Sequence, residues 1–103
     1  MRIDKLLWFL RFARTRALAQ HWVLEGHIRL NGRRVEKPGA TVGPGDTLVL
    51  PLPHGVRVIE VVALPARRGP AQEARLCYRE LDASGENPIA AQASQSPEGT
   101  ILP

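Results

Sequence analysis

Arginine and lysine recur through residues 1–46 in a pattern suited to gripping a polyanion. Arg2, Lys5, Arg11, Arg14, Arg16, Arg29, Arg33, Arg34 and Lys37 stand against Asp4, Glu25, Glu36 and Asp46, a net charge of +5, while residues 47–103 net −1. Seven of these nine cations are arginine, whose planar guanidinium matches phosphate oxygens through two parallel hydrogen bonds. Thr15, Gln20, His27 and Asn31 lie among them and add hydroxyl, amide and imidazole groups that can reach sugar hydroxyls and groove edges. The competing reading of such a face is a solvated, solubilising surface. Other chemistries find less support. His21 and His54 stand far apart with no cysteine or carboxylate constellation between them, so no metal site is expected. Cys77, the single cysteine, lacks a neighbouring base and reads as a small hydrophobe. No Gly-rich cofactor loop and no paired catalytic carboxylates occur, so no catalytic residue and no cofactor are expected.

These side chains need elements to hold them. Ile3, Leu6, Leu7, Leu10 and Ala13 follow the i, i+3, i+4, i+7 rule and predict an amphipathic helix over 3–13. Thr15 is a suitable N-cap for a second helix carrying Leu18, Trp22 and Val23, with Gly26 at its left-handed C-terminal position. His27 to Leu30, Asn31-Gly32 and Arg33 to Glu36 form a hairpin pattern, because Asn-Gly supplies the two positive φ angles of a type I′ turn. A turn at Gly43-Pro44-Gly45-Asp46 precedes a strand over 47–50, Pro51 to Gly55 break the chain, and Val56 to Leu64 predict another strand. Arg67-Arg68-Gly69-Pro70 then lead into a last helix over 71–81. Trp8, Phe9, Phe12 and Trp22 are expected in or near the core, which favours shape recognition of a folded polyanion over base stacking. Residues 82–103 show no periodicity and few large apolar side chains, so a flexible tail is expected there.

At 103 residues one core suffices without disulfides. The apolar run Leu6–Leu10 is too short for a secretory or membrane segment. A cytoplasmic, membrane-free monomer is the expectation.

Several blocks together carry a family resemblance. Arg2-Ile3-Asp4-Lys5, Arg11-Phe12, Thr15-Arg16-Ala17-Leu18-Ala19, Gly26-His27-Ile28-Arg29-Leu30-Asn31-Gly32, Lys37-Pro38 and Val42-x-Pro44-Gly45-Asp46 resemble the RNA-binding domain named after small-subunit ribosomal protein S-four. Beyond it, Val58 to Leu64, Arg67-Arg68-Gly69-Pro70-Ala71-x-Glu73-Ala74 and Tyr78 resemble the C-terminal extension of the fifteen-kilodalton heat-shock protein family. The small S-four-domain factor of bacterial ribosome-associated quality control has a similar layout. The resemblance implies an α+β fold: two N-terminal helices on a small antiparallel sheet over residues 1–50, a strand–helix extension over 51–81, and the tail. It also implies a non-catalytic partner of structured RNA, namely large-subunit ribosomal RNA and peptidyl-transfer RNA on free subunits with a stranded nascent chain. The RNA contacts expected are Arg2, Lys5, Arg11, Thr15, Arg16, His27, Arg29, Asn31 and Lys37 within the matching blocks, and Arg14, Gln20, Arg33 and Arg34 from the charge and hairpin pattern beside them. The heat-shock family continues into a long basic tail, whereas residues 82–103 contain no Lys or Arg, so a binding role borne by that tail is not expected of residues 82–103.

Two other classes compete. S-four-type domains also guide RNA-modifying enzymes and synthetases, but this chain leaves no room for a catalytic domain. A DNA-binding helix-turn-helix fits two short helices with a tight connection, yet residues 16–25 hold only Arg16 as a Lys or Arg and run straight into a hairpin.

Overall fold

The computed structural model describes residues 1–81; the tail expected over 82–103 lies outside them. The element order is α1 (Ile3–Phe9), α2 (Arg16–Leu24), β1 (Arg29–Leu30), β2 (Arg33–Arg34), β3 (Thr47–Leu52), β4 (Gly55–Val61), α3 (Ala71–Arg75) and β5 (Tyr78–Leu81). The strands make one antiparallel sheet in the order β2-β1-β3-β4-β5. Ile3, Leu6 and Leu7 from α1, Ala19 and Val23 from α2, and Ile28, Leu48, Leu50, Ile59 and Val61 from the sheet side form a shared core. The fold is therefore the α+β arrangement expected.

Helix α1 ends four residues before the predicted limit. Arg11 adopts a φ of 68°, its N–H donates to the Trp8 carbonyl, and the Phe12 N–H donates to that of Leu7. These paired bonds are a Schellman termination with arginine where glycine usually stands. Leu10 and Ala13 are still buried, so the apolar spacing persists after the helix has stopped. Helix α2 ends the same way at Gly26, whose φ is 77°, with Gly26 N–H to the Val23 carbonyl and His27 N–H to that of Trp22. Its start is capped by the Thr15 hydroxyl, which accepts from the Leu18 N–H at 3.0 Å.

Three boundaries in the second half need correction. Strand β3 continues through Pro51 to Leu52 rather than breaking at 51, and the turn to β4 is only Pro53-His54. Because β1 reaches only Leu48 and Val49 of β3, Pro51 sits where that flank of the strand is open, a place proline tolerates. Strand β4 stops at Val61 instead of 64, where the Val62 and Ala63 N–H groups turn to the Cys77 carbonyl. The last predicted helix, 71–81, is one turn of helix followed by β5. Tyr78 to Leu81 pair with the otherwise open edge of β4, placing Arg79 opposite Glu60, and the Arg79 Nη2 to Glu60 Oε1 distance is 2.6 Å. Satisfying a row of backbone groups and a cross-strand ion pair outweighs a weak helical preference.

Candidate nucleic-acid interface

Asp4 organises the two helix starts. It is fully buried, with Arg2 donating through Nε and Nη2 at 3.2 and 3.1 Å, Gln20 Nε2 at 2.9 Å and the Lys5 N–H at 2.7 Å. Arg16 Nε lies 3.4 Å from Oδ2 as a charge contact, without hydrogen-bond alignment. Burial pushes the carboxyl upward, but the bonds from Arg2, Gln20 and the Lys5 N–H, with the close Arg16 guanidinium, outweigh it and hold the pKa at about 2. From its place in the sequence, Asp4 suits either a helix N-terminal charge or a partner orienting Arg11 or Arg16. It orients Arg16, together with Arg2 and Gln20, and not Arg11.

Arg2 also reaches the hairpin. The Met1 amine donates to the Val42 carbonyl at 2.9 Å and the Ile3 N–H to that of Ala40 at 2.8 Å, which fixes the chain start along residues 38–42. Arg2 accordingly lines an open groove of about 850 Å³ with Asn31, Arg33, Arg34 and Lys37, where Glu36 is the one acid among the lining residues. Arg33 and Arg34 project from the edge strand β2 and are exposed.

The hairpin itself is pinned to the body. Asn31 and Gly32 have φ of 52° and 84°, as a type I′ turn demands. The Asn31 amide oxygen accepts from the Thr47 N–H at 2.9 Å, and its nitrogen donates to Asp46 Oδ1 at 3.1 Å. Asp46 Oδ2 accepts from the Gly43 N–H at 2.8 Å, and these bonds, the Gly43 one foremost, hold its carboxyl below the usual range. Sequence spacing marked Asn31 as a turn residue and a contact. Its side chain spends both polar ends on holding the turn.

The remaining predicted residues are distributed differently. Arg11 Nη1 donates to the Gly69 carbonyl at 3.0 Å, and Arg11 and Arg14 line a separate groove beside Phe12 and Trp22. Thr15 is the cap described above. His27 and His21 both face Glu25, each Nε2 at 3.0 Å from one of its oxygens. Arg29 is exposed on β1, its Nη1 3.5 Å from the Gly32 carbonyl. Lys5 stands 5.2 Å from the Phe9 ring centre. Of the four aromatic residues expected in or near the core, Phe9 is buried, Phe12 and Trp22 are partly buried and packed against the core cluster, and Trp8 is partly buried. Sequence reading also missed Arg57, which stands over the Phe12 ring and lines that second groove with His54; both sit beyond the matched motif blocks, with no local signal to mark them.

Residues 1–48 match the family model described as the S4 domain. Heat shock protein 15 of Escherichia coli is 41% identical over 86 residues, covering 84% of this chain and 64% of that protein. The small ribosomal subunit protein uS4 of Gloeobacter violaceus is 38% identical over 68 residues, covering 62% of this chain and 32% of that protein. A solved structure of Vibrio cholerae Heat Shock Protein 15, described as trimeric, superimposes with a TM-score of 0.77 at 32% identity, covering 95% of this chain and 98% of that one. Fold and family match thus define an S4-domain protein. Within that class, the chain belongs to the heat shock protein 15 family. It spans just under two thirds of the length of the Escherichia coli relative. Among the described residues no helix is long and apolar enough to cross a membrane.

Proposed function

We propose that this chain is a non-catalytic RNA-binding protein whose N-terminal unit, residues 1–50, grips folded RNA while residues 51–81 buttress it. One contrast carries the reading. Among the described residues Lys5, Arg11, Arg14, Arg29, Arg33, Arg34 and Lys37 make no ion pair, whereas in the second half Arg57, Arg67 and Arg79 are matched with Glu80, Glu73 and Glu60 and only Arg68 and Arg75 are not. Cations left without carboxylate partners retain their capacity for phosphate. Arg16, the only Lys or Arg of helix α2, contacts Asp4, which supports RNA over a helix-turn-helix contact with DNA.

The partner is large-subunit ribosomal RNA together with peptidyl-transfer RNA, on free subunits holding a stalled nascent chain. Its setting is cytoplasmic ribosome rescue and recycling linked to heat stress. This finer assignment is supported by membership of the heat shock protein 15 family and by similarity to a ribosomal protein. A sucrose gradient of lysate at low magnesium tests it. Tagged wild-type protein is expected with free large subunits, and an Arg33→Ala, Arg34→Ala variant at the top. Wild type remaining at the top while it still binds a purified structured RNA would leave a general RNA binder and remove the ribosomal role.

A further inference from the structure

A second groove, of about 530 Å³, opens between the α1–α2 connection and the β3–β4 turn, within the roughly 300–1,000 Å³ typical of small-ligand sites. Arg11, Arg14, His54 and Arg57 line it together with Phe12 and Trp22, which are partly buried and pack on the core with their remaining surface toward the groove, and no Asp or Glu is among the lining residues. Phe12 is already engaged: Arg57 lies 5.0 Å from its ring centre and the Tyr78 ring 4.9 Å away. Among the described residues Trp22 has neither a ring nor a cation partner. It also borders the adjoining groove of about 340 Å³. Arg11 is held at the rim by its bond to the Gly69 carbonyl.

A planar group with an attached anion fits these features. We propose that this groove takes one unpaired nucleotide of the bound RNA, with its base on Trp22 and its phosphates between Arg11 and Arg14. An aromatic face flanked by guanidinium groups is the usual platform for an unstacked base. A peptide strand is disfavoured, because Pro51 and Pro53 beside the groove have no N–H with which to pair an added strand. The inference rests on the reading of the chain as a binder of folded RNA and adds the feature by which it would recognise an unpaired end or bulge.

The test uses the full chain with Trp8→Phe, which leaves Trp22 as the only tryptophan. The probes are a blunt RNA hairpin, the same hairpin with unpaired 3′ adenosines, oligoadenylate and oligoglutamate. Oligoadenylate and the overhang hairpin should quench Trp22 fluorescence, and the overhang should bind on the order of tenfold tighter than the blunt form. That ratio should approach one in both Trp22→Leu and Arg14→Ala; the second changes an exposed residue and guards against a folding defect in the first. Blunt and overhang hairpins binding equally, without quenching, would overturn the nucleotide site and leave the RNA reading intact. No binding of either hairpin would overturn both. Quenching by oligoglutamate alone would overturn the proposal in favour of an acidic peptide.

Discussion

Arg11 occupies a left-handed position at which a side chain costs about 1 kcal/mol relative to glycine. Its retained guanidinium lies at the rim of a groove and donates to the Gly69 carbonyl. Arg11→Gly should therefore keep thermal stability within a few degrees of wild type, relief of strain offsetting the lost bond, while RNA affinity falls; calorimetry beside a binding titration checks both. A midpoint lowered by more than about 10 °C would show that the Gly69 bond holds the α1–α2 connection together. Asp4 makes the opposite prediction. Its carboxyl is held at about 2 against an ordinary value of 3.8, so its stabilisation is fully present above pH 4 and is lost as pH falls through 2. The shift corresponds to about 2 kcal/mol. Asp4→Asn should lower stability by about that much at neutral pH and flatten the fall between pH 4 and 2, as urea unfolding at a series of pH values would record. An Asn variant with the wild-type acid profile would contradict this role. Arg16→Ala should also destabilise, because it removes one of the cations facing the buried Asp4 carboxylate.

At the scale of elements, the hairpin is the part most exposed to change. Gly32 has a φ of 84° with open space around it, so Gly32→Ala should cost only the backbone strain, about 1 kcal/mol. Gly26→Ala meets the same strain and in addition places a Cβ 3.2 Å from the Arg34 side chain. It should disturb Arg34 as well as α2, so RNA affinity should fall further for Gly26→Ala than for Gly32→Ala when both are measured at one salt concentration. Equal affinity losses would detach Arg34 from the binding face. These two glycines also show why parts of the fold were legible in the sequence. The end of α2 and the β1–β2 turn carry residues that prefer the backbone angles they adopt, and both were readable. The end of α1 uses an arginine in the same motif while its apolar spacing runs on to Ala13, so periodicity alone overran it. Strand β5 was hidden for another reason: Tyr78 to Leu81 have no strong intrinsic preference, and their partner edge lies about 20 residues earlier at Val58 to Val61. Asp4 counted in the sequence as one acid among the cations, and its role as a node for Arg2, Arg16 and Gln20 depends on α1 and α2 being packed together.

Across the whole molecule the charge is asymmetric in partnering as well as in number. The C-terminal strands pair Arg57 and Arg79 with Glu80 and Glu60, so that among the described residues most of the cations without an ion pair lie in the N-terminal unit, with Arg68 and Arg75 the exceptions. The cations do not fall into one groove: Arg2, Arg33, Arg34 and Lys37 meet at the hairpin, and Arg11 and Arg14 meet beside Trp22. Two separated cationic sites suit an extended, folded ligand better than a small anion. A monomer is the predicted free state, and sedimentation velocity distinguishes it from the trimer described for the Vibrio cholerae structure. The central claim, that the hairpin cations bind RNA phosphates, is tested most directly by the salt dependence of binding to a structured RNA, comparing wild type with an Arg33→Ala, Arg34→Ala, Lys37→Ala variant. The slope of log K against log salt should become shallower by roughly 0.7 to 0.9 for each cation removed. A variant that kept the wild-type slope would contradict the account.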